Sequence, residues 1–403
     1  RPPRSTLFPY TTLFRSRGVT IGIPAALHLF DDLEFWQCFF DLLSIKTVTS
    51  RGFRGALKEG RHLAGAEFCA PLTALHGHIA YLLDKCDYVF VPFYFEERNQ
   101  DTPARRQYCY YTQYAPSLAG AAMGEKEHRV LSPLVRYLYS GLRTKFELFA
   151  MLKKILGRRI SYREVSHAYD SALAFREQTG KALIELCAHE RAKARGIQVV
   201  LLGRPYTVLD PSMNKGIIDI FASHGVPVYF QDMIPVQETA DASLKELLDD
   251  LPWKHAADIL RTADIVAGME GVYPVLVTSF RCSPDSFAAE YFKNLMNSRG
   301  KPYLILQLDE HDSNVGYETR IEAGLRSFTN HFSRRHSAPP TILSSISPVE
   351  RIEDKTIIIP NWDRFSCSLL AALLRREGLD ARLMDQTGTD LQRSLRHNTG
   401  QCI

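Results

Sequence analysis

The sequence predicts an α/β fold: two Rossmann-like parallel-sheet domains with a helical insert, plus a truncated third α/β unit. Three observations lead there. Short apolar runs of strand length alternate with amphipathic helical stretches, and strands apolar on both faces belong to parallel sheets covered by helices. The alternation occurs twice, on either side of a strand-poor stretch at 117–195. A strand motif, Thr20-Ile21-Gly22-Ile23-Pro24, returns near the other end as Thr356-Ile357-Ile358-Ile359-Pro360, which reads as an internal repeat.

The elements follow in order. Residues 19–24 are a short apolar strand after Gly18. Asp31 or Asp32 caps a helix running to about residue 43, with Leu33, Trp36, Phe40 and Leu43 on one face. Residues 45–48 are the next strand, 54–63 and 71–84 are helices, and 88–92 is a strongly apolar strand. In 117–195 the apolar positions recur at helical spacing, including Leu131, Leu134, Leu138, Leu142 and Phe146. The charged residues around Arg158 and at 191–195 read as a solvated face.

A second α/β stretch begins with a strand at 198–202, ending in Gly203-Arg204-Pro205-Tyr206. A helix at 215–223 and a strand at 226–230 follow. Helices are expected at 243–250 and 255–262, apolar runs at 265–268 and 272–278, and a helix at 284–297. The strand at 303–308 precedes a helix at about 315–328. Residues 333–347 are rich in Ser and Pro and read as linker. The last part opens with the repeated strand, then a helix at 365–376 and a strand at 381–384.

This divides the chain into 1–17, an adapter-like non-native leader; 18–116, the first α/β domain; 117–195, the helical insert; 196–332, the second α/β domain; 333–354, a linker; and 355–403, a truncated third unit. The first methionine is Met123, so the chain is expected to be a fragment.

Composition excludes several classes. With 403 residues, 45% hydrophobic and 23% charged, global disorder is ruled out. No apolar run reaches the ~18 residues of a membrane span. The net charge of +4 comes from Arg1, Arg4, Arg15 and Arg17, so the rest is balanced, and neither nucleic acid nor a membrane is an expected partner. Eight cysteines without a CxxC pair are too sparse for a disulfide scaffold and read as reduced, cytoplasmic thiols.

Three of these cysteines share a context. Cys69 lies just before Pro71 and its helix, Cys282 just before Pro284 and its helix, and Cys109 lies beyond a strand among Tyr108, Tyr110, Tyr111 and Tyr114. Ligands in such sheets bind beyond the carboxyl ends of strands. Helix starts favour anions and lower thiol pKa values. Thiolates so placed suit a soft metal or an iron–sulfur cluster, although a lone cysteine is more often an apolar filler. Cys38, Cys86, Cys187 and Cys367 are read as such fillers. His76 and His78 point in different directions on a helix and are read as packed rather than jointly ligating. Asp309, Glu310 and His311 follow a strand, where helix capping is favoured over a metal or acid–base role. Arg204 is left open between holding a phosphate or carboxylate and forming a structural ion pair.

Several stretches together resemble a known family: the run from Ala64 to His78 containing Glu67-Phe68-Cys69-Ala70-Pro71, then Tyr108-Cys109-Tyr110-Tyr111-Thr112-Gln113, Gly203-Arg204-Pro205-Tyr206, Arg281-Cys282-Ser283-Pro284-Asp285-Ser286 and Gln307-Leu308-Asp309-Glu310-His311. They resemble the acyl-CoA dehydratase activase-related proteins of the 2-hydroxyglutaryl-CoA dehydratase system, in a DUF2229-type module. The resemblance implies two Rossmann-like domains with an iron–sulfur cluster, of the 4Fe–4S type, held between them. Carried over by position, its ligands are Cys69, Cys109 and Cys282. Asn398-Thr399-Gly400-Gln401-Cys402 matches the start of the following dehydratase-like module, with Cys402 as its first metal ligand. Where related sequences place a further cysteine, this one has Val91-Pro92-Phe93, so three protein thiolates are implied.

The resemblance further implies an ATP-dependent activase domain or subunit as partner, an acyl-CoA substrate, pairing as a dimer or between modules, and anaerobic electron transfer. The sequence has no Gly-x-x-x-x-Gly-Lys-[Ser/Thr] loop, so ATP is not assigned to these residues. The leading expectation is a cluster-binding module in ATP-driven low-potential electron transfer, with catalysis as a dehydratase or reductase left open. The alternative is a non-catalytic scaffold or assembly module with structural cysteines.

Overall fold

Ile21 and Ile23 are fully buried on β1 (Thr20–Ile23), at the centre of the first sheet. After it come α1 (Leu27–Asp31), α2 (Leu33–Leu42), β2 (Lys46–Thr49), α3 (Ala56–Leu63), α4 (Ala70–Leu83) and β3 (Tyr88–Phe90). Three short strands, β4 (Phe93–Tyr94), β5 (Glu96–Arg98) and β6 (Arg105–Gln107), lead to α5 (Tyr110–Ala122), then β7 (Val130–Leu131) and β8 (Leu134–Arg136). The first sheet is parallel in the order β2-β1-β3-β7, with Thr20 opposite Lys46 and Val89 opposite Val130. The computed structural model describes residues 17–98, 105–136, 141–235, 241–279, 282–308, 314–334, 355–361 and 363–384. The chain divides into two units, Arg1–Thr341 and Ile342–Ile403.

Helix α2 is apolar nearly all round because it is covered on two sides, by the sheet and by a later helix. Trp36 meets Phe90 at 4.7 Å, and Phe35 meets Tyr169 at 5.7 Å. The polar atoms this burial strands are satisfied in a chain: Trp36 Nε1 donates to Tyr94 Oη at 2.8 Å, and Tyr94 donates to Asp32 at 2.6 Å. Asp32 in turn pairs with Arg176 at 3.2 Å.

α6 (Gly141–Leu156) and α7 (Tyr162–Lys193) follow. α7 starts at a capping box, in which Ser161 and Glu164 satisfy each other's backbone donors at 3.3 and 2.8 Å. Its 32 residues span about 48 Å. Val165, Ala168 and Ala172 lie in the first core and Cys187 in the second, so the helix braces both sheets.

The second half contains β9 (Gln198–Leu202), α8 (Pro205–Val208), α9 (Ile217–Ser223), β10 (Val228–Phe230), α10 (Ala242–Asp250) and α11 (Lys254–Gly268). β11 (Val272–Ser279), α12 (Ser283–Ser298), β12 (Leu304–Leu308) and α13 (Asn314–Arg334) complete it. Its sheet is again parallel, in the order β10-β9-β11-β12, the same winding as the first. Every residue of β9 and β11 is buried, as central strands covered on both faces require. The expected α/β class with two Rossmann-like parallel sheets is therefore what the chain adopts.

One local expectation is corrected, and one apolar run without an assigned type gains one. The stretch read as wholly helical contains β7 and β8, and β7 is the edge strand of the first sheet. A two-residue strand has no periodicity to read; its identity comes from pairing with β3. The apolar run at 265–268 is the end of α11, where Ala263, Val266 and Ala267 continue the buried face begun by Ile259 and Leu260.

The C-terminal unit holds β13 (Thr356–Ile359), α14 (Arg364–Arg376) and β14 (Asp380–Leu383). Asp363 caps α14 by accepting from Ser366 N at 2.7 Å. Ile359, Cys367, Ala371 and Ala381 form its small core. The sequence repeat extends to pairing, since Thr356 to Ile359 run parallel to Asp380 to Leu383 as Thr20 to Ile23 run parallel to Lys46 to Thr49. The leader at 1–16, linker residues 335–354, Asp309, Glu310, His311 and Cys402 lie outside the described residues. Among the described residues, no helix is long and apolar enough to cross a membrane.

Candidate functional site

Cys69, Cys109 and Cys282 each occupy the N-cap of a helix: α4, α5 and α12 respectively. Each has extended backbone, with φ/ψ of −64/150°, −62/154° and −88/95°. Their carbonyls accept the first helical bonds, from Thr73, Gln113 and Ser286 at 3.0, 2.9 and 2.9 Å. The backbone N–H groups of Leu72 and Asp285, in the first turns of α4 and α12, act on the Cys69 and Cys282 sulfurs and favour their thiolates. Cys109 Sγ lies 3.2 Å from Thr112 Oγ1.

The tertiary fold brings Cys109 within electrostatic reach of Cys69 and of Cys282, and Arg204 within reach of all three. Arg204 follows β9 and Cys282 follows β11, the two strands between which the chain reverses its winding direction. Open α/β sheets form their binding crevices at such a reversal. Gly203 makes the turn possible: its φ is +149°, and a Cβ there would lie 2.4 Å from the Val277 carbonyl oxygen. α4 is seated against α3 by another close approach, in which a Cβ on Gly77 would lie 2.0 Å from the Ala56 carbonyl oxygen.

Arg204 and Asp285 are buried together, with Nε donating to Oδ1 at 2.8 Å. Arg204 Nη1 also donates to Tyr206 Oη at 3.0 Å. The open question about Arg204 is thereby answered in favour of an ion pair. Burial works against the guanidinium charge, but Asp285, and then Tyr206, Cys282 and Cys109, hold its pKa well above the ordinary value. Burial pushes the Cys69 thiol up to about 11, opposed first by the Leu72 backbone N–H, with Cys109 adding to the rise and Arg204 opposing it. Burial pushes Cys282 up further, against Arg204 and helped by Asp285. The Tyr206 phenol is likewise raised by burial. In the metal-free protein at neutral pH, Cys69 and Cys282 are thus protonated.

Among the described residues, no group of three or more His, Cys, Asp or Glu side chains closes around a single metal ion. His76 stacks on Phe68 at 5.8 Å and His78 lies edge-on to Phe53 at 5.8 Å, both on α4. Burial keeps both neutral, lowering His78 to about 4. Around the thiols lies an aromatic rim, where Phe68 meets Tyr111 at 5.6 Å and Tyr110 meets Trp253 at 5.4 Å. Cys38, Cys187 and Cys367 are buried, and Cys86 donates to the Leu82 carbonyl at 2.9 Å.

Sequence reasoning quoted Tyr206 and Asp285 within motifs but gave neither a role. Beyond the motif, Asp285 carried one physical signal, an acid at the third position of a helix opened by proline. That signal speaks of the helix dipole and says nothing of a partner 81 residues away.

No curated protein matches this sequence. Among solved structures, one similar chain is the C-terminal domain of glucosamine-fructose-6-phosphate aminotransferase from Francisella tularensis. It shares 8% identity over 79% of this chain and 84% of that one, with a TM-score of 0.20, a likeness too remote to bear on function. The family description that matches is the CoA enzyme activase uncharacterised domain (DUF2229), over residues 20–234. That match takes in β1 through β10, including Cys69, Cys109 and Arg204, and spans more than half of the chain, which therefore belongs to the CoA enzyme activase DUF2229 family.

Proposed function

We propose that this chain is the cluster-carrying module of a CoA-enzyme activase system. In this reading Cys69, Cys109 and Cys282 hold an iron–sulfur cluster of the 4Fe–4S type. An ATP-dependent activase partner drives an electron to low potential and delivers it here for use on an acyl-CoA. The observation that carries the reading is the placement of three cysteines at three helix N-caps around one buried arginine. A cluster spreads its ligands over several irons, so its cysteines can stand further apart than those of a single-ion site.

A bound cluster supplies reversible one-electron transfer. The chain's own contribution is electrostatic. Three helix N-termini and Arg204 place positive potential where three thiolates would form. Arg204 and its partner Asp285 are almost wholly inaccessible, which strengthens the interactions of the cation, while the three cysteines are partly exposed. Three protein thiolates leave a coordination position for a substrate, a water or a partner group.

Anaerobic reconstitution of the full chain tests this. The expected product holds about four irons per chain, with acid-labile sulfide and broad absorption near ~400 nm. Cys69→Ala, Cys109→Ala and Cys282→Ala each lose most of it, and Cys187→Ala retains it. Equal iron in all four variants removes these residues from the site and leaves the scaffold reading.

Loading also follows pH in a stated direction. Cys69 and Cys282 are thiols at neutral pH because burial raises their pKa values. Binding must displace those protons, so apparent iron affinity rises as pH rises, by about tenfold per unit for each proton released. Iron retention against a chelator whose own pH dependence has been subtracted, measured from pH 6.5 to 8.5, checks the slope; a flat profile contradicts displacement of thiol protons.

A further inference from the structure

A groove of about 690 Å³, the size of a small-molecule site, opens at the amino ends of the strands of the second sheet. Three segments wall it: the stretch before β9 with Arg195 and Ile197, the turn before β10 with His224 and Val226, and the face of α13 with Leu325 and Arg326. β9 runs from this end to Arg204 at the other. Its 5 residues, at ~3.3 Å each, put about 16 Å of strand between the groove and the thiol centre.

The floor is apolar. Leu325 is buried, and Ile197 and Val226 are half-buried against the same core. The rim is cationic. Arg195 and Arg326 are exposed, and neither guanidinium has a carboxylate, a hydrogen bond or a ring partner among the described residues. The acid on the lining is Glu322, which has the His224 ring beside it, with Nε2 3.9 Å from Oε1. Two fixed positive charges thus face one negative charge. On a flat surface such cations need no partner, because water serves them. Here they converge on a concave space with an apolar wall, which focuses their field.

An occupant needs an oxyanion for the rim and an apolar part for the floor. A phosphate monoester has three terminal oxygens, enough for two guanidinium forks, and carries close to two charges at neutral pH. A carboxylate has one charge and two oxygens, which a single fork takes up. No Phe, Tyr or Trp lines the groove, so a nucleobase has no ring there to stack on.

We propose that this groove binds a small organic phosphate, with Arg195 and Arg326 on the phosphoryl oxygens and the carbon chain against Ile197, Val226 and Leu325. The proposal goes beyond the cluster reading and does not depend on it.

The test is calorimetric titration of the full chain, at neutral pH and fixed ionic strength, with butyl phosphate, inorganic phosphate and butyrate. Butyl phosphate binds saturably, with a dissociation constant below about 1 mM. Inorganic phosphate binds about tenfold more weakly, the worth of roughly two methylenes buried on the floor. Butyrate is also weaker than butyl phosphate, by about tenfold or more, because it offers one charge and oxygens for one fork. Arg195→Gln and Arg326→Gln each weaken butyl phosphate binding about tenfold, as the loss of a hydrogen-bonded charge does. Both side chains are exposed, so these substitutions leave the fold intact, which circular dichroism checks. Glu322→Gln acts in the other direction, tightening binding about threefold by removing a like charge. The proposal is overturned if butyl phosphate shows no saturable binding, or if both arginine variants bind it as the parent does. It is equally overturned if butyrate or inorganic phosphate binds as tightly as butyl phosphate.

Discussion

Asp285→Ala lowers the stability of this chain by about 3–5 kcal/mol, the usual cost of stranding one member of a buried ion pair. Arg204 is left without its carboxylate in a place where water does not reach it. Its remaining Tyr206 contact, at 3.0 Å, is with a neutral phenol and does not replace a counter-charge. The double variant Arg204→Met with Asp285→Leu recovers most of the loss, because it removes both desolvated charges and keeps the volume filled. Urea midpoints followed by circular dichroism measure both. A loss below about 1 kcal/mol in Asp285→Ala would mean that water enters the site and the pair is not sealed.

Gly77→Ala is expected to destabilise by about 3 kcal/mol, toward the upper end of the range for overpacking. Helix propensity alone predicts the opposite sign, a gain of about 1 kcal/mol. The difference lies in the contact between α3 and α4. A Cβ on Gly77 would lie 2.0 Å from the Ala56 carbonyl oxygen, and one on Gly60 would lie 1.8 Å from that of Thr73. Both obstacles are backbone, so no side chain can swing aside. The two helices must separate, and α4 carries Cys69 at its N-cap. Two readouts should therefore move together: the urea midpoint falls, and Cys69 alkylates faster. A stabilised Gly77→Ala protein would show that the helices part at little cost.

These two sites also show how far local reading reaches. The long strands were legible because burial leaves a mark in composition. Gln198–Leu202 and Val272–Ser279 are apolar runs covered on both faces, and the helix opening at Cys69 is marked by Pro71. Val130–Leu131 left no such mark, since two residues carry no period and only pairing with β3 makes them a strand. The apolar run at 265–268 carries no type of its own for a related reason: a short apolar run fits a buried strand or a buried helical turn equally well.

The candidate site divides along the same line. That Cys69, Cys109 and Cys282 precede helices follows from neighbouring residues, because caps and proline positions are local features. Their shared neighbourhood is not local. It depends on two sheets wound in the same order, on a glycine contact that seats α4, and on α7 bracing both cores. The partner of Arg204 was likewise beyond local reading. Either an anionic ligand or a carboxylate of the chain satisfies a guanidinium, and sequence spacing does not rank them. Packing decided it by bringing Asp285 to 2.8 Å in a space too dry to leave the charge alone. Periodicity and chain punctuation, then, specify which segments are strands, helices and helix starts, because those preferences act over a few residues. Which cysteines come within electrostatic reach of one another, what charge stands near them and how far each is covered depend on long-range packing.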